Sequence, residues 1–231
     1  MVTITTIGFD ADDTLWHNEV FFKGTQAKFA ALLADYADPD HLMDRLLEAE
    51  RRNLGHYGFG IKGFTLSMIE TAIEVTEGRV PASVLSQILA DGRKMLRHPV
   101  DLMTGVEACV RALAVDHRLV LITKGDLLDQ ERKLAESGLG DLFDGIEIVS
   151  DKVPETYSRA FDAHGDGAAQ ALMVGNSMKS DVVPAIEAGA WGVFCPSEHE
   201  WELEWAEEPV TAPRYRRIKT LAELPQLIAG L

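Results

Sequence analysis

The chain has 231 residues and carries 22 Lys+Arg against 37 Asp+Glu, a formal net charge of −15. Such a surplus of negative charge argues against sequence-independent binding to nucleic acid or to anionic lipid, both of which need basic patches, while leaving room for a local positive site. With 46% hydrophobic and 7% aromatic residues the composition is that of a folded chain, long enough for one large domain or for a core with a smaller inserted one.

The two cysteines, Cys109 and Cys195, form no spaced framework, which fits a reduced, cytoplasmic protein. The first residues lack the basic region of a signal peptide, and the apolar runs are strand-sized, so no membrane partner is expected.

The first predicted strand, residues 3–9, is rich in β-branched residues and ends abruptly at acids. The texture then changes: residues 21–37, 40–53, 65–76 and 83–96 carry apolar positions at three- and four-residue intervals, with Pro81 at the start of the last. From Thr104, where Thr104-Gly-Val-Glu107 reads as a capping box for a helix to about Val115, strands and helices alternate. Strands are expected at 118–122, 145–149, 171–174 and 191–194, with helices at 127–137, 155–164 and 178–188. This alternation predicts an α/β fold, a doubly wound parallel sheet of Rossmann type with five strands. The helical block between the first two strands predicts an inserted all-helical domain, giving a core of residues 1–17 and 101–231 and a helical cap of residues 18–100.

Open parallel sheets bind ligands at the carboxyl ends of their strands. Those ends carry Asp10-Ala-Asp12-Asp13-Thr14-Leu15, then Thr123-Lys124-Gly125-Asp126, then Asp151-Lys152, then Gly175-Asn176 with Asp181. If the first strand runs on through Asp10 and Asp12, period two places both carboxylates on one face. Paired carboxylates repel and need a cation or a shared proton, and magnesium takes one or two carboxylates together with water and phosphate oxygens. The chemistry that fits is phosphoryl transfer to a carboxylate nucleophile, with a lysine and a metal neutralising phosphoryl charge. Taken singly, the acids also fit an acid-rich turn, Thr123 a capping box, Asn176 and Asp181 a helix cap, and Lys152 a solvated lysine. Four coincident caps at four successive strand ends are the less economical explanation.

Together these four motifs resemble those of the haloacid dehalogenase-like hydrolase superfamily, and the helical block resembles its cap. The resemblance implies a magnesium-dependent phosphatase acting on a small phosphorylated metabolite. Asp10 would be the nucleophile and a metal ligand, and Asp12 the general acid/base with its carbonyl on the metal. Thr123 and Lys124 would bind phosphate, Lys152 would hold the nucleophile and the phosphate charge, and Asn176 and Asp181 would complete the metal site. Asn176 stands where the family often has Asp, so metal binding would be weaker. Asp13 stands where glycine is frequent, a position that tolerates a left-handed turn. Asp12 favours a phosphatase over a dehalogenase, because a halide leaving group needs no proton.

The alternatives are dehalogenation, phosphonate cleavage and a non-catalytic phosphoacceptor. None of Lys23, Lys28 and Lys62 is marked as a Schiff-base lysine, and receiver-type phosphoacceptors are about half this length and lack the helical block. Gly58-Phe-Gly60-Ile-Lys-Gly63 matches a dinucleotide fingerprint but follows a helix, so it reads as a loop. From that loop His56, Tyr57, Phe59 and Lys62, and from the first motif Trp16 and His17, are candidate substrate-selecting residues. Trp201 and Trp205 suggest one face of a helix over 198–208, and residues 214–217 a basic cluster that is solvated or paired with the acid run of 198–208.

Overall fold

The computed structural model describes residues 3–231. The chain divides into two compact units, one of Met1–Glu19, Val100–Lys124 and Gln130–Leu231, the other of Val20–Pro99 and Gly125–Asp129.

The first unit is built on a parallel sheet of six strands: β1 (Thr6–Phe9), β2 (Arg118–Lys124), β3 (Gly145–Val149), β4 (Ala171–Gly175), β5 (Trp191–Phe194) and β6 (Tyr215–Arg217). Their spatial order is β3-β2-β1-β4-β5-β6. The winding direction therefore reverses between β1 and β4, the place where open α/β sheets bind ligands. Register brings the relevant ends level, since Phe9 pairs with Leu121 on one side and Val174 on the other. The next residues along, Asp10, Ile122-Thr123 and Gly175-Asn176, emerge side by side.

Alternation along the strands separates two apolar layers. Ile7, Phe9, Leu119, Leu121, Leu172 and Val174 pack on one side with Val106, Val110 and Leu113 of the helix α5 (Val106–Leu113). Val120, Ile122, Ala171 and Met173 pack on the other side with Tyr157 and Phe161 of a helix at Pro154–His164. The helix at Leu127–Ser137 from Gln130 onward, with those at Val183–Glu187 and Leu224–Ala229, completes the unit's helical complement.

The second unit holds α1 (Glu19–Leu32) from its second residue onward, then α2 (Pro39–Tyr57), α3 (Ile61–Val75) and α4 (Ala82–Met95). Asp38 caps α2 by accepting from the backbone of Asp40 and His41, and Pro39 occupies the first helical turn, where its missing N–H is harmless. Phe29, Leu46, Phe64, Met68 and Ile88 form a core drawn from these four helices. In chain order the helices of the first unit after α5 are α6 (Leu127–Ser137), α7 (Pro154–His164), α8 (Val183–Glu187) and α9 (Leu224–Ala229).

Several expectations are corrected. A sixth strand, β6, was not expected at the basic cluster: Arg216 lies over the Trp191 ring at 4.6 Å, while Arg217 pairs with Glu208 of the acid run, the alternative to a solvated cluster. The expected helix over 198–208 is reduced to one 3₁₀ turn at Glu202–Glu204, because Trp201 and Trp205 on either side are extended. The Thr104 capping box does not form; Gly105, at φ 82°, takes the cap position without a side-chain bond. β1 begins at Thr6 rather than Thr3 and ends at Phe9 as expected; it does not run on through Asp10 and Asp12, so the two do not share a strand face.

Within β1, Gly8 is wedged where a Cβ would lie 2.9 Å from Met173 Sδ and 3.1 Å from the Phe161 ring. Gly8→Ala is therefore expected to overpack this layer and lower stability by about 1–3 kcal/mol, read as a lower urea midpoint with an unchanged m-value.

Candidate active site

β1 delivers Asp10 to the sheet's edge, 7% exposed, with its amide held by the Val174 carbonyl at 3.0 Å. Asp10 Oδ1 accepts from Lys152 Nζ at 2.5 Å, and the same ammonium donates to Asp181 Oδ1 at 2.7 Å. Asp181 reaches this point from a π-helical turn at Met178–Val182, a distortion often found at functional sites. Its other oxygen accepts from the Ser177 amide at 2.9 Å. Gly175 makes room for it, since a Cβ there would run into the Asp181 carboxylate. Ser177, rather than Asn176 or Asp181, caps this turn by accepting from Ser180 N at 2.9 Å.

Three buried ionic groups thus share one point, two of them carboxylates and one an ammonium. Burial pushes the Asp10 carboxyl up to about 7, the neighbouring Asp181 pushes the same way, and Lys152 opposes both. Burial alone would strip the proton from Lys152, but the two carboxylates hold its ammonium above the ordinary lysine range. Two carboxylates facing one ammonium in a poorly solvated place leave an excess negative charge, which a proton on Asp10 or a bound cation relieves.

The hydroxyl of Thr14 donates to Asp10 Oδ2 at 3.0 Å and accepts from the Asn176 amide N–H of the backbone at 3.1 Å. The hydrogen-bonding pattern turns the Asn176 side-chain nitrogen toward Asp10 Oδ2 at 3.2 Å, the Asp12 carbonyl at 3.1 Å and Thr14 Oγ1 at 3.2 Å. That nitrogen stands where a carboxylate oxygen, a backbone carbonyl and a hydroxyl converge, an all-oxygen cradle. Among the described residues no three His, Cys, Asp or Glu side chains gather as a metal cage. The donor set is two carboxylates completed by an amide and a carbonyl, which suits a hard cation that keeps water and substrate oxygens as ligands.

Asp12 does not point into this cluster as a free acid. Its carboxylate accepts from Trp16 Nε1 at 2.7 Å, Gln130 Nε2 at 2.8 Å, and Lys133 Nζ at 2.8 and 3.1 Å. Trp16 is consequently buried, its ring in the sheet's core and its indole N–H on Asp12. Asp13 adopts φ 60°, the left-handed conformation expected of it, and accepts from the Asn18 and Glu19 amides at 3.0 and 2.9 Å. Burial pushes its carboxyl up to about 6.

Thr123 is buried at the end of β2 and donates to the Lys124 carbonyl at 3.3 Å. Lys124 turns to Ser180 Oγ at 2.6 Å and Glu204 Oε1 at 2.7 Å, while Glu204 Oε2 accepts from Ser177 Oγ at 2.6 Å. Burial would raise the Glu204 carboxyl, but the Lys124 charge and these hydrogen bonds hold it below the usual range. Glu204, Gln130 and Lys133 lie outside all four motifs. Gln130 and Lys133 follow the second motif on α6 at a three-residue interval, a weak signal, and Glu204 sits in an acid run that gives none.

The selecting candidates divide between the units. His17 is exposed in the first unit, its backbone amide donating to the Asp101 carbonyl at 3.0 Å. In the second, His56 is exposed in the last turn of α2, and Tyr57 donates to Glu70 at 2.7 Å. Phe59 lies between α2 and α3, in a true interhelical loop, and Lys62 pairs with Asp126 at 2.8 Å.

A family pattern described as "Hydrolase: haloacid dehalogenase-like hydrolase" matches residues 4–189. A mouse (Mus musculus) protein named N-acylneuraminate-9-phosphatase is 25% identical over 144 residues, which cover 59% of this chain and 55% of the mouse protein. The chain thus spans about half the length of that curated relative. A haloacid dehalogenase-like family hydrolase from Xanthomonas campestris has a crystal structure that superposes with a TM-score of 0.88 at 43% identity, covering 99% of this chain and 91% of that one. A 2-haloacid dehalogenase from Pseudomonas syringae superposes with a TM-score of 0.61 at 20% identity, covering 99% of both chains, a likeness of fold alone. Pattern, close structural relative and site geometry agree: the chain belongs to the haloacid dehalogenase-like hydrolases.

Proposed function

We propose that this hydrolase is a magnesium-dependent phosphomonoesterase that acts on a small phosphorylated metabolite through an aspartyl-phosphate. The observation that carries the proposal is a buried carboxylate, Asp10, at a strand end, hydrogen-bonded to an ammonium that also holds Asp181. In the first step an Asp10 carboxylate oxygen attacks phosphorus, the bond to the leaving oxygen breaks, and that oxygen takes a proton from Asp12. In the second, water attacks the phosphorus of phospho-Asp10, its proton passes to Asp12, and phosphate and free Asp10 are released. Lys152 and Thr123 bind phosphoryl oxygens, and Lys124 joins them by exchanging its contact with Glu204 for phosphate.

Asp10, Asp181, the Asp12 carbonyl and Asn176, with its amide rotated to present oxygen, would hold magnesium. The ion, when bound, supplies positive charge to the phosphoryl oxygens. The helical unit serves in this proposal as the cap that excludes bulk water, with His17, His56, Tyr57 and Lys62 as selecting residues. The phosphatase activity in the mouse relative's name supports attack on phosphorus with an alcohol leaving group over displacement of halide from carbon, as does the presence of Asp12.

The test is hydrolysis of a generic aryl phosphate with magnesium. Wild type is expected to turn over and Asp10→Asn to lose activity by about a thousandfold or more; halide release from a 2-haloacid without phosphatase activity would overturn the proposal. The same variant reports on electrostatics. The folded-state carboxyl is raised above its ordinary 3.8, so native Asp10 binds its proton more tightly than the unfolded chain does, and its contribution to stability falls as pH climbs from about 4 to about 7. In metal-free buffer Asp10→Asn is therefore expected to raise stability by on the order of 1–2 kcal/mol at pH 8 and by less at pH 5, measured by urea denaturation.

Asn176→Asp adds a third carboxylate to the oxygen cradle. Its melting temperature is expected to fall below wild type without magnesium and to rise more steeply than wild type as magnesium is added, read by thermal denaturation.

A further inference from the structure

Among side chains outside the family motifs, two from α6 converge on Asp12. Gln130 and Lys133 stand one turn apart, three residues in sequence, and so present their polar ends on one helix face. Both are buried, at 3% and 7% exposure, although long polar side chains are rarely so. Their buried ends meet Asp12 from one direction while the Trp16 indole meets it from another. Lys133 Nζ also donates to Asn18 Oδ1 at 3.0 Å, which fixes the ammonium against the loop that precedes α1.

An ionised carboxylate offers about four lone-pair sites, whereas a carboxylic acid must give one oxygen to its own proton. Every group on Asp12 is a donor: Oδ1 accepts from Trp16 and Lys133, Oδ2 from Gln130 and Lys133. The contacts reach both oxygens from two directions and so fix the orientation of the side chain. The longest contact, Lys133 to Oδ2 at 3.1 Å, duplicates the same ammonium's 2.8 Å contact to Oδ1. Oδ2 can therefore exchange it for a water without losing the ion pair.

We propose that Lys133, assisted by Gln130, is a positioning residue for the second half-reaction, holding the Asp12 side chain in the orientation from which it accepts the proton of the attacking water. The inference rests on the phosphatase reading above. In that step the water oxygen forms a bond to phosphorus, and the bond from phosphorus to the Asp10 oxygen breaks with its electron pair returning to Asp10. The water's proton passes to Asp12, which leaves Asp12 charged with the proton that the next leaving group requires. Lys133 touches neither substrate nor phosphorus; it acts through Asp12.

The test is Lys133→Met in the full chain, assayed with an aryl phosphate and magnesium under stopped flow. The aryl leaving group needs little protonation, so formation of phospho-Asp10 is expected to survive while its hydrolysis slows. The expected result is a kcat lowered about tenfold to a hundredfold, KM lowered in parallel, kcat/KM within about twofold of wild type, and a burst of about one phenolate per site. Lys133→Arg, which keeps the charge, is expected to recover kcat to within about threefold. An unchanged kcat, or a fall in kcat and kcat/KM together without a burst, would overturn the proposal. A second readout is independent of turnover: the Trp16 indole N–H resonance, assigned by its absence in Trp16→Phe, is expected to shift in Lys133→Met, because its acceptor is reoriented. A resonance that overlays wild type overturns the holding of Asp12 by Lys133. If wild type fails to hydrolyse phosphate while that resonance shifts, the phosphatase reading falls and the positioning of Asp12 stands.

Discussion

The site depends on one buried ammonium. Lys152 sits between Asp10 and Asp181 with 5% of its surface exposed, and without it two carboxylates would face each other in a region where neither is hydrated. Removing a partner from a buried ionic group costs far more than an exposed ion pair is worth, because the charge left behind is uncompensated. The backbone around the site is shaped to keep that triad closed. The π-helical turn brings Asp181 inward, Gly175 leaves the space its carboxylate fills, and Thr156 ties the carbonyl of Asp151, beside Lys152, at 3.1 Å.

The sheet makes that convergence possible without long loops. Parallel strands in register end at one level, so residues separated by more than a hundred positions in sequence emerge within hydrogen-bonding reach. Because the winding reverses between β1 and β4, their ends are not covered by a crossover helix. Thr14 and Asn176, contributed by these two strand ends, are already bonded to each other across this gap. The same positions that close the fold at its carboxyl edge therefore build the oxygen cradle.

The fold was legible because period-two and helical patterns are local properties. Leu119 to Ile122 alternate between two apolar layers, and the four helices of the second unit carry their own core, so both signals survive in the one-dimensional chain. Legibility failed where tertiary contacts decide. Tyr215–Arg217 is a strand because it adds to β5 and lays Arg216 on Trp191, although three basic residues near an acid run read as solvent-exposed. Trp201 and Trp205 have helical spacing, yet the chain there is extended and carries Glu204 to Lys124. At the site, the residues at strand ends could be read from position. Their pairings could not: Lys124 bonds Glu204 and Asp12 bonds Lys133, partners 80 and 121 residues away.

These pairings change how an acidic protein can be expected to receive an anionic substrate. The three ammonium groups bonded into the cluster, those of Lys124, Lys133 and Lys152, are matched against the carboxylates of Asp10, Asp12, Asp181 and Glu204. Three positive charges against four negative ones leave the site itself negative, in keeping with the chain's net −15 rather than as an exception to it. Each lysine is thus spent on orienting an acid and is not available as a bare positive field. Attraction of a phosphoryl group then requires either that an acid give up its lysine, as Glu204 could, or that a divalent cation enter the oxygen cradle and reverse the sign of the site. The first would bring phosphate without changing the repulsion from Asp10. The second would remove that repulsion at its source, so under the phosphatase proposal the charge balance of the cluster favours a cation bound before the substrate.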